Sequence, residues 1–167
     1  MVAYQKGDDS QLGKIYSRLK SPLYSFIYRY SQDEQLSIDI VQDTFMQLQR
    51  YKHHFDPDKG SLKAYIFQIA YRLMVTRLNR RRALKKLLPF LVPKQTLNND
   101  HTEQIAIREA IAHLPHIQRA VILLYYYHDM SQKEIANTLQ IPKGTVKSRL
   151  HTAIQTLKVA LEVDHRA

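Results

Sequence analysis

The sequence predicts an all-α protein: two small helical domains joined by a flexible linker. Three observations carry that reading. Apolar residues recur at helical spacing along nearly the whole chain. Glycine is scarce, with 4 in 167 residues, and only the run VILLYYY (121–127) competes as a strand. The periodicity lapses over PFLVPKQTLNND (89–100), which has two prolines and no repeat. That stretch marks residues 88–101 as the linker between domains 1–87 and 102–167.

Leu12, Ile15, Tyr16 and Leu19 share one face of the first long helix. Leu23, Phe26, Ile27 and Tyr30 continue it past Pro22, where the missing N–H and the ring clash predict a kink or break. Ile38, Val41, Phe45 and Leu48 form the next face, on a helix opened by Asp33 and Glu34, acids suited to the positive end of the dipole. HHFDPDKGS (53–61) interrupts the pattern. Leu62, Tyr65, Ile66, Ile69, Ala70 and Leu73 make a third stripe that runs into Asn79-Arg80-Arg81-Arg82. Beyond the linker, Ile107, Ile111 and Leu114 end at Pro115, and Ile117, Val121, Leu124 and Tyr125 follow. Ser131 and Glu134 have the spacing of a capping box, opening a short helix with Ile135, Ala136 and Leu139 inside. After Gln140-Ile141-Pro142 a longer helix carries Val146, Leu150, Ile154, Leu157 and Leu161. Short helix, tight turn, second helix is the helix-turn-helix pattern.

The charge says what such a protein meets. The net charge of +10 and pI of about 9.8 imply a polyanionic partner, nucleic acid before an acidic membrane surface. Eight basic side chains and no acidic one lie between Arg72 and Lys94. There is no cysteine, which excludes a disulfide scaffold and a thiolate zinc site and accords with a cytoplasmic protein. The N-terminal MVAYQKGDDSQLGK lacks a signal-peptide core, and the longest apolar run, Ala120–Tyr127, is too short for a bilayer, so no membrane insertion is expected.

The segment PKGTVKSRL (142–150) starts a helix with three cations, against the dipole's preference. With Val146 at the centre of the inner face, Leu150, Ala153, Ile154, Leu157 and Leu161 fall beside it. Thr145, Ser148, His151 and Thr152 point away, and Lys147 and Arg149 flank them, with Lys143 at the helix start. Small polar groups between two cations suit a helix whose tip reads base edges while its flanks meet phosphates. Phosphate is the missing counter-charge, and the free amides at a helix start can also hold one.

Other chemistry is not expected. DPDKG opens like a calcium loop, but the twelfth position from Asp56 is Phe67 rather than glutamate. His53 and His54 are adjacent and point apart, so no metal is expected there. No phosphate-cradling glycine loop and no nucleophile–base set can be built, so no cofactor, small-molecule substrate or enzymatic activity is expected.

The stretch LPHIQRAVILLYYYHDMSQKEIANTLQIPKGTVKSRL resembles region 4 of the bacterial extracytoplasmic-function (ECF) sigma factors, most specifically in EIA followed by GTVKSRL. Asp39-Ile40-Val41-Gln42-Asp43-Thr44-Phe45 resembles their region 2.2, Lys6-Gly7-Asp8 the lead-in to their first helix, and FDPDKGSLKAYIFQIAYRLMVTRLNRRR their regions 2.3 and 2.4. The resemblance implies a factor that joins core RNA polymerase and directs it to promoter DNA. Asp39, Gln42, Asp43 and Phe45 would dock on the polymerase; Asp39 and Asp43 also share one helix face, an acidic feature odd in so basic a protein. Lys143, Thr145, Lys147, Ser148, Arg149, His151 and Thr152 would read the −35 element. Tyr51, His53, His54, Phe55, Lys59, Arg72, Arg77, Arg80 and Arg81 would handle the −10 element, the ring-rich loop stacking on a base flipped from the strand. The linker would thread the RNA exit path, and an anti-sigma factor, often membrane-bound in this family, would hold the protein inactive. The departure at Tyr65 bears on core packing, and those at Tyr71-Arg72, Thr76 and Thr152 on which promoter is read. Two rivals stay open on the residues alone: a helix-turn-helix regulator that never joins polymerase, and a recombinase-like enzyme with a C-terminal helix-turn-helix.

Overall fold

The computed structural model describes residues 1–87 and 103–164, so the predicted linker lies outside the described residues. Among the described residues there are eight α-helices and no strand. The first half holds α1 (Val2–Gln5), α2 (Ser10–Ser31), α3 (Glu34–Arg50), a 3₁₀ turn (Lys52–His54) and α4 (Leu62–Leu87). The second holds α5 (Glu103–His113), α6 (His116–Ile122), a π-helical turn (Leu123–Tyr127), α7 (Gln132–Leu139) and α8 (Lys143–Asp164).

The predicted faces are largely the buried ones, with Tyr16 and Ile38 the exceptions, exposed at the edges of α2 and α3. Leu23, Phe26 and Ile27 of α2, Leu36, Ile40 and Leu48 of α3, and Ile66, Phe67 and Met74 of α4 are fully enclosed. Asp33 caps α3, its carboxylate accepting the Leu36 amide at 2.8 Å. Gln32 takes a left-handed conformation (φ 56°) that turns the chain from α2 into α3.

Two further expectations are corrected. Of the kink or break expected at Pro22, the break does not occur: α2 runs through it over 22 residues. Burial of Leu19, Leu23 and Phe26 on either side offsets the one lost backbone bond. Tyr125, assigned to an inner face, is exposed with Tyr126 and Tyr127. The π-helical turn widens the coil there, keeping Leu123 and Leu124 inside while three tyrosines swing outward.

The two halves share one core. Buried side chains run without interruption from α2–α4 into α5–α8. Phe67 of α4 sits 5.1 Å, centroid to centroid, from His128, which also meets Phe26 edge-on at 5.8 Å. Arg119 of α6 donates to the Tyr30 carbonyl at 3.0 Å and to the Leu114 carbonyl at 3.1 Å, with its guanidinium over the Tyr30 ring. One side chain thereby serves the carbonyl ends of both α2 and α5.

Candidate nucleic-acid interface

The helix-turn-helix forms as the spacing implied. Ser131 accepts the Glu134 amide at 3.2 Å, and Glu134 accepts the Ser131 amide at 3.0 Å, a complete capping box. Gln140 ends α7 in the left-handed region (φ 55°), so α8 leaves at a sharp angle. Val146, Leu150 and Ala153 are buried and fix the rotation of α8. That rotation turns Lys143, Lys147, Ser148, Arg149, His151 and Thr152 to solvent, with Thr145 half-buried beside them. Ser148 and Thr152 donate their hydroxyls back to the carbonyls of Thr145 and Ser148, at 3.0 and 2.9 Å. Their oxygens remain free to accept from a base edge. Among the described residues no carboxylate pairs with Lys143, Lys147 or Arg149, and the first turn of α8 holds no acid.

The loop before α4 is held from an unexpected side. Gln5 of α1 donates to the carbonyls of Lys52 and Phe55, both at 2.8 Å, and Lys52 lies over the Tyr4 ring. Tyr51 and His54 stack at 5.3 Å on the surface, with His53 exposed beside them. Phe55 departs from expectation. It is 8% exposed and packs on Tyr65 at 5.4 Å, so it anchors the loop and offers no ring to a base. Lys59 reaches into solvent, 3.3 Å from Asp56.

Along α4, Arg72 and Arg80 are exposed, while Arg77 and Arg81 turn back onto α3. Arg77 donates to Asp43 and lies 3.8 Å from Asp39; Arg81 donates to Asp33. Burial disfavours the Asp33 carboxylate, but the Leu36 amide and Arg81 outweigh it and hold its carboxyl below the usual range. Two residues expected to dock on a protein therefore neutralise one expected to meet DNA. Phe45 is buried as its place in the inner stripe predicted, 7% exposed and edge-on to Tyr16 at 4.8 Å, which corrects its assignment to the docking surface. The outward face of α3 carries Ile38, Gln42 and Met46, four residues apart, with Ile38 46% and Met46 59% exposed. They border an apolar groove of about 980 Å³ whose far wall is Tyr16 and Tyr24 of α2. Asp39 and Asp43 stand out in the sequence by charge; the spacing there assigns Ile38 to the inner face, which its exposure corrects, and Met46 draws no reading.

His128 had no role in the sequence reading. It is 6% exposed, and burial, with Lys63 and Arg29 nearby and only Asp129 opposing, pushes its imidazole down to about 4. It is therefore neutral at pH 7, and it regains a value near 6.5 on unfolding. Between those values the unfolded chain holds the extra proton, so stability rises with pH through this window and falls on acidification. Acidifying from pH 7 to 5 should cost about 1–2 kcal/mol. A His128→Gln variant should lose that slope, and urea midpoints at the two pH values for both proteins check it.

Comparison with known proteins places this geometry. The family model described as Sigma-70 region 2 matches residues 15–84, and that described as Sigma-70, region 4 matches residues 104–157. The chain is 26% identical over 153 residues to the ECF RNA polymerase sigma factor SigM of Bacillus subtilis, covering 88% of this chain and 93% of that protein. It is 24% identical over 156 residues to the ECF RNA polymerase sigma factor RpoE of Cereibacter sphaeroides, covering 90% and 86%. Among solved structures, the sigma factor RpoE in complex with the anti-sigma factor NepR from Bartonella quintana shares the fold at TM-score 0.77 and 22% identity, covering 92% of this chain and 98% of that one. CnrH in complex with the cytosolic domain of CnrY superposes at TM-score 0.74 and 25% identity, covering 95% and 92%. With regions 2 and 4 matched in order onto the two helical halves, the chain belongs to the ECF group of the sigma-70 family of RNA polymerase sigma factors.

Proposed function

We propose that this sigma factor divides promoter recognition between two faces. The exposed tip and flanks of α8 enter the major groove of the −35 element, with Arg149 and Lys147 on its walls. The stacked Tyr51–His54 pair, with Arg72, Arg80 and Lys59, receives the separated strand of the −10 element. Core RNA polymerase docks on the outward face of α3 along Ile38, Gln42 and Met46; Asp39 and Asp43 hold the neighbouring arginine in place. The observation that carries this reading is the set of α8 cations without a carboxylate partner among the described residues, on a helix whose inner face is fixed by burial. Among the described residues no helix is long and apolar enough to cross a membrane, and the chain acts in the cytoplasm, where its template and polymerase are. An anti-sigma factor restrains it, as NepR and CnrY are found on two proteins of the same fold. It acts as an initiation factor and performs no catalysis of its own.

The chain mixed with bacterial core polymerase should co-elute with it and start RNA from a pooled promoter library. Tight duplex binding with no polymerase association would make it a stand-alone regulator instead. Within the holoenzyme, Arg149→Ala should weaken promoter binding by about 1–3 kcal/mol. The salt dependence should flatten by about one phosphate contact. Unchanged protection of the −35 region by the variant would remove Arg149 from the interface.

A further inference from the structure

The rings of the loop before α4 are not held by their own packing. Tyr51, His53 and His54 are all exposed, and the 3₁₀ turn Lys52–His54 buries none of its residues. The His54 amide closes that turn on the Tyr51 carbonyl at 2.9 Å, and the chain then leaves in an extended conformation at Phe55. What fixes the turn comes from α1. The Gln5 side-chain amide has two N–H bonds to give, and it donates to the Lys52 carbonyl and to the Phe55 carbonyl, each at 2.8 Å. Those carbonyls bracket the turn, so one planar group sets the separation of its ends. Lys52 is drawn to the same side, its ammonium 4.7 Å from the Tyr4 ring centroid and 3.8 Å from Asp9. Tyr4 is 2% exposed and anchors α1, a helix of four residues that local bonding alone would not hold. With Lys52 turned in and Phe55 seated on Tyr65, the turn presents Tyr51, His53 and His54 outward.

We infer that Gln5 is a positioning residue for strand capture: through the Lys52 and Phe55 carbonyls it holds the Tyr51–His54 pair in the arrangement that receives an unstacked base. This rests on the −10 role proposed above. A base that leaves its stack recovers the loss only on rings that already stand ready for it. A turn free to rearrange would lose part of that stacking energy to its own ordering. Gln5 does not touch the strand; its effect passes through the turn. Glutamate at this position has the same shape but no N–H, and its ionised oxygens would face two carbonyl oxygens. The isosteric change thus turns two attractions into a repulsion at constant volume.

Holoenzymes made with the full chain are given one promoter that the wild type transcribes from the pooled library, in two forms: fully paired, and pre-melted across the −10 element by mismatches. Gln5→Glu should lower RNA output from the paired template by about tenfold, within the range for losing one stacked base. Output from the pre-melted template, where no pairing has to be overcome, should stay within about twofold. Loss of fold or of polymerase docking would lower both alike. Circular dichroism checks the fold, and Gln5→Met, uncharged and of similar length, removes the donors without the repulsion should Gln5→Glu not fold. A Tyr51→Ala, His54→Ala chain should show the same split between templates, and adding Gln5→Glu to it should cost nothing more, because the turn has no rings left to present. A folded Gln5 variant that transcribes the paired template like the wild type, weakens both templates equally, or adds its full effect to the chain lacking both rings would overturn the inference. Normal transcription of the paired template by the chain lacking both rings strikes the −10 role itself, and the positioning role falls with it.

Discussion

Phe67→Ala is expected to destabilise the whole chain by about 3–5 kcal/mol and to loosen both halves together. Phe67 is fully buried and touches aromatic neighbours on both sides of the seam, Phe26 of α2 at 5.5 Å and His128 at 5.1 Å. Truncation removes its own apolar burial and leaves a cavity that close-packed neighbours fill only in part. It also removes the ring edge that walls His128 from water, so the imidazole should regain part of its basicity. Urea unfolding followed by far-ultraviolet circular dichroism should show a single transition at a lower midpoint. Two separated transitions in the wild type would show that the halves unfold independently, and the shared core would then contribute little to cooperativity.

The second large effect is expected at the face of α3 proposed to dock on polymerase. Replacing Ile38 and Met46 together with aspartate should weaken association with core RNA polymerase by about 2–4 kcal/mol, the range for central apolar contacts of an interface. Both side chains are solvent-exposed in the free protein, so the fold should be unaffected and circular dichroism unchanged. The groove they border is apolar and continuous, a kind of surface that monomeric proteins seldom leave uncovered. Asp43→Arg is a less clean probe, because it would set two cations against each other where Asp43 now meets Arg77. Normal co-elution of the Ile38→Asp, Met46→Asp protein with core enzyme would move the docking site elsewhere on the chain.

How far the sequence could be read follows from what periodicity and local chemistry encode. The inner stripes of α2, α3, α4 and α8, and the Ser131–Glu134 box, are set by residues within a turn or two of each other, and they stand where the spacing predicted except at Tyr16 and Ile38, which are exposed. The outward residues of α8 were legible for the same reason, since fixing Val146 inside fixes Ser148 and Arg149 outside. Side chains whose partners lie far along the chain were not legible. Nothing local says that Phe55 would be claimed by Tyr65, Phe45 by Tyr16, or Asp43 by Arg77. The role of α1 was hidden too, because four residues carry no period; only Gln5 bonding to the carbonyls of Lys52 and Phe55 reveals it as a brace for the stacking loop. The union of the halves was the largest omission, for a seam made by His128, Arg119 and Asn137 uses residues that a pattern search sets aside as loop or surface.

The Glu134 carboxylate divides its labour between its two oxygens. Oε2 accepts the Ser131 amide that seals the front of α7, whereas Oε1 accepts the Ser61 hydroxyl from the other half. Losing the contact between the halves would cost the second bond and spare the first, so the front of α7 keeps its own seal whatever the first half does.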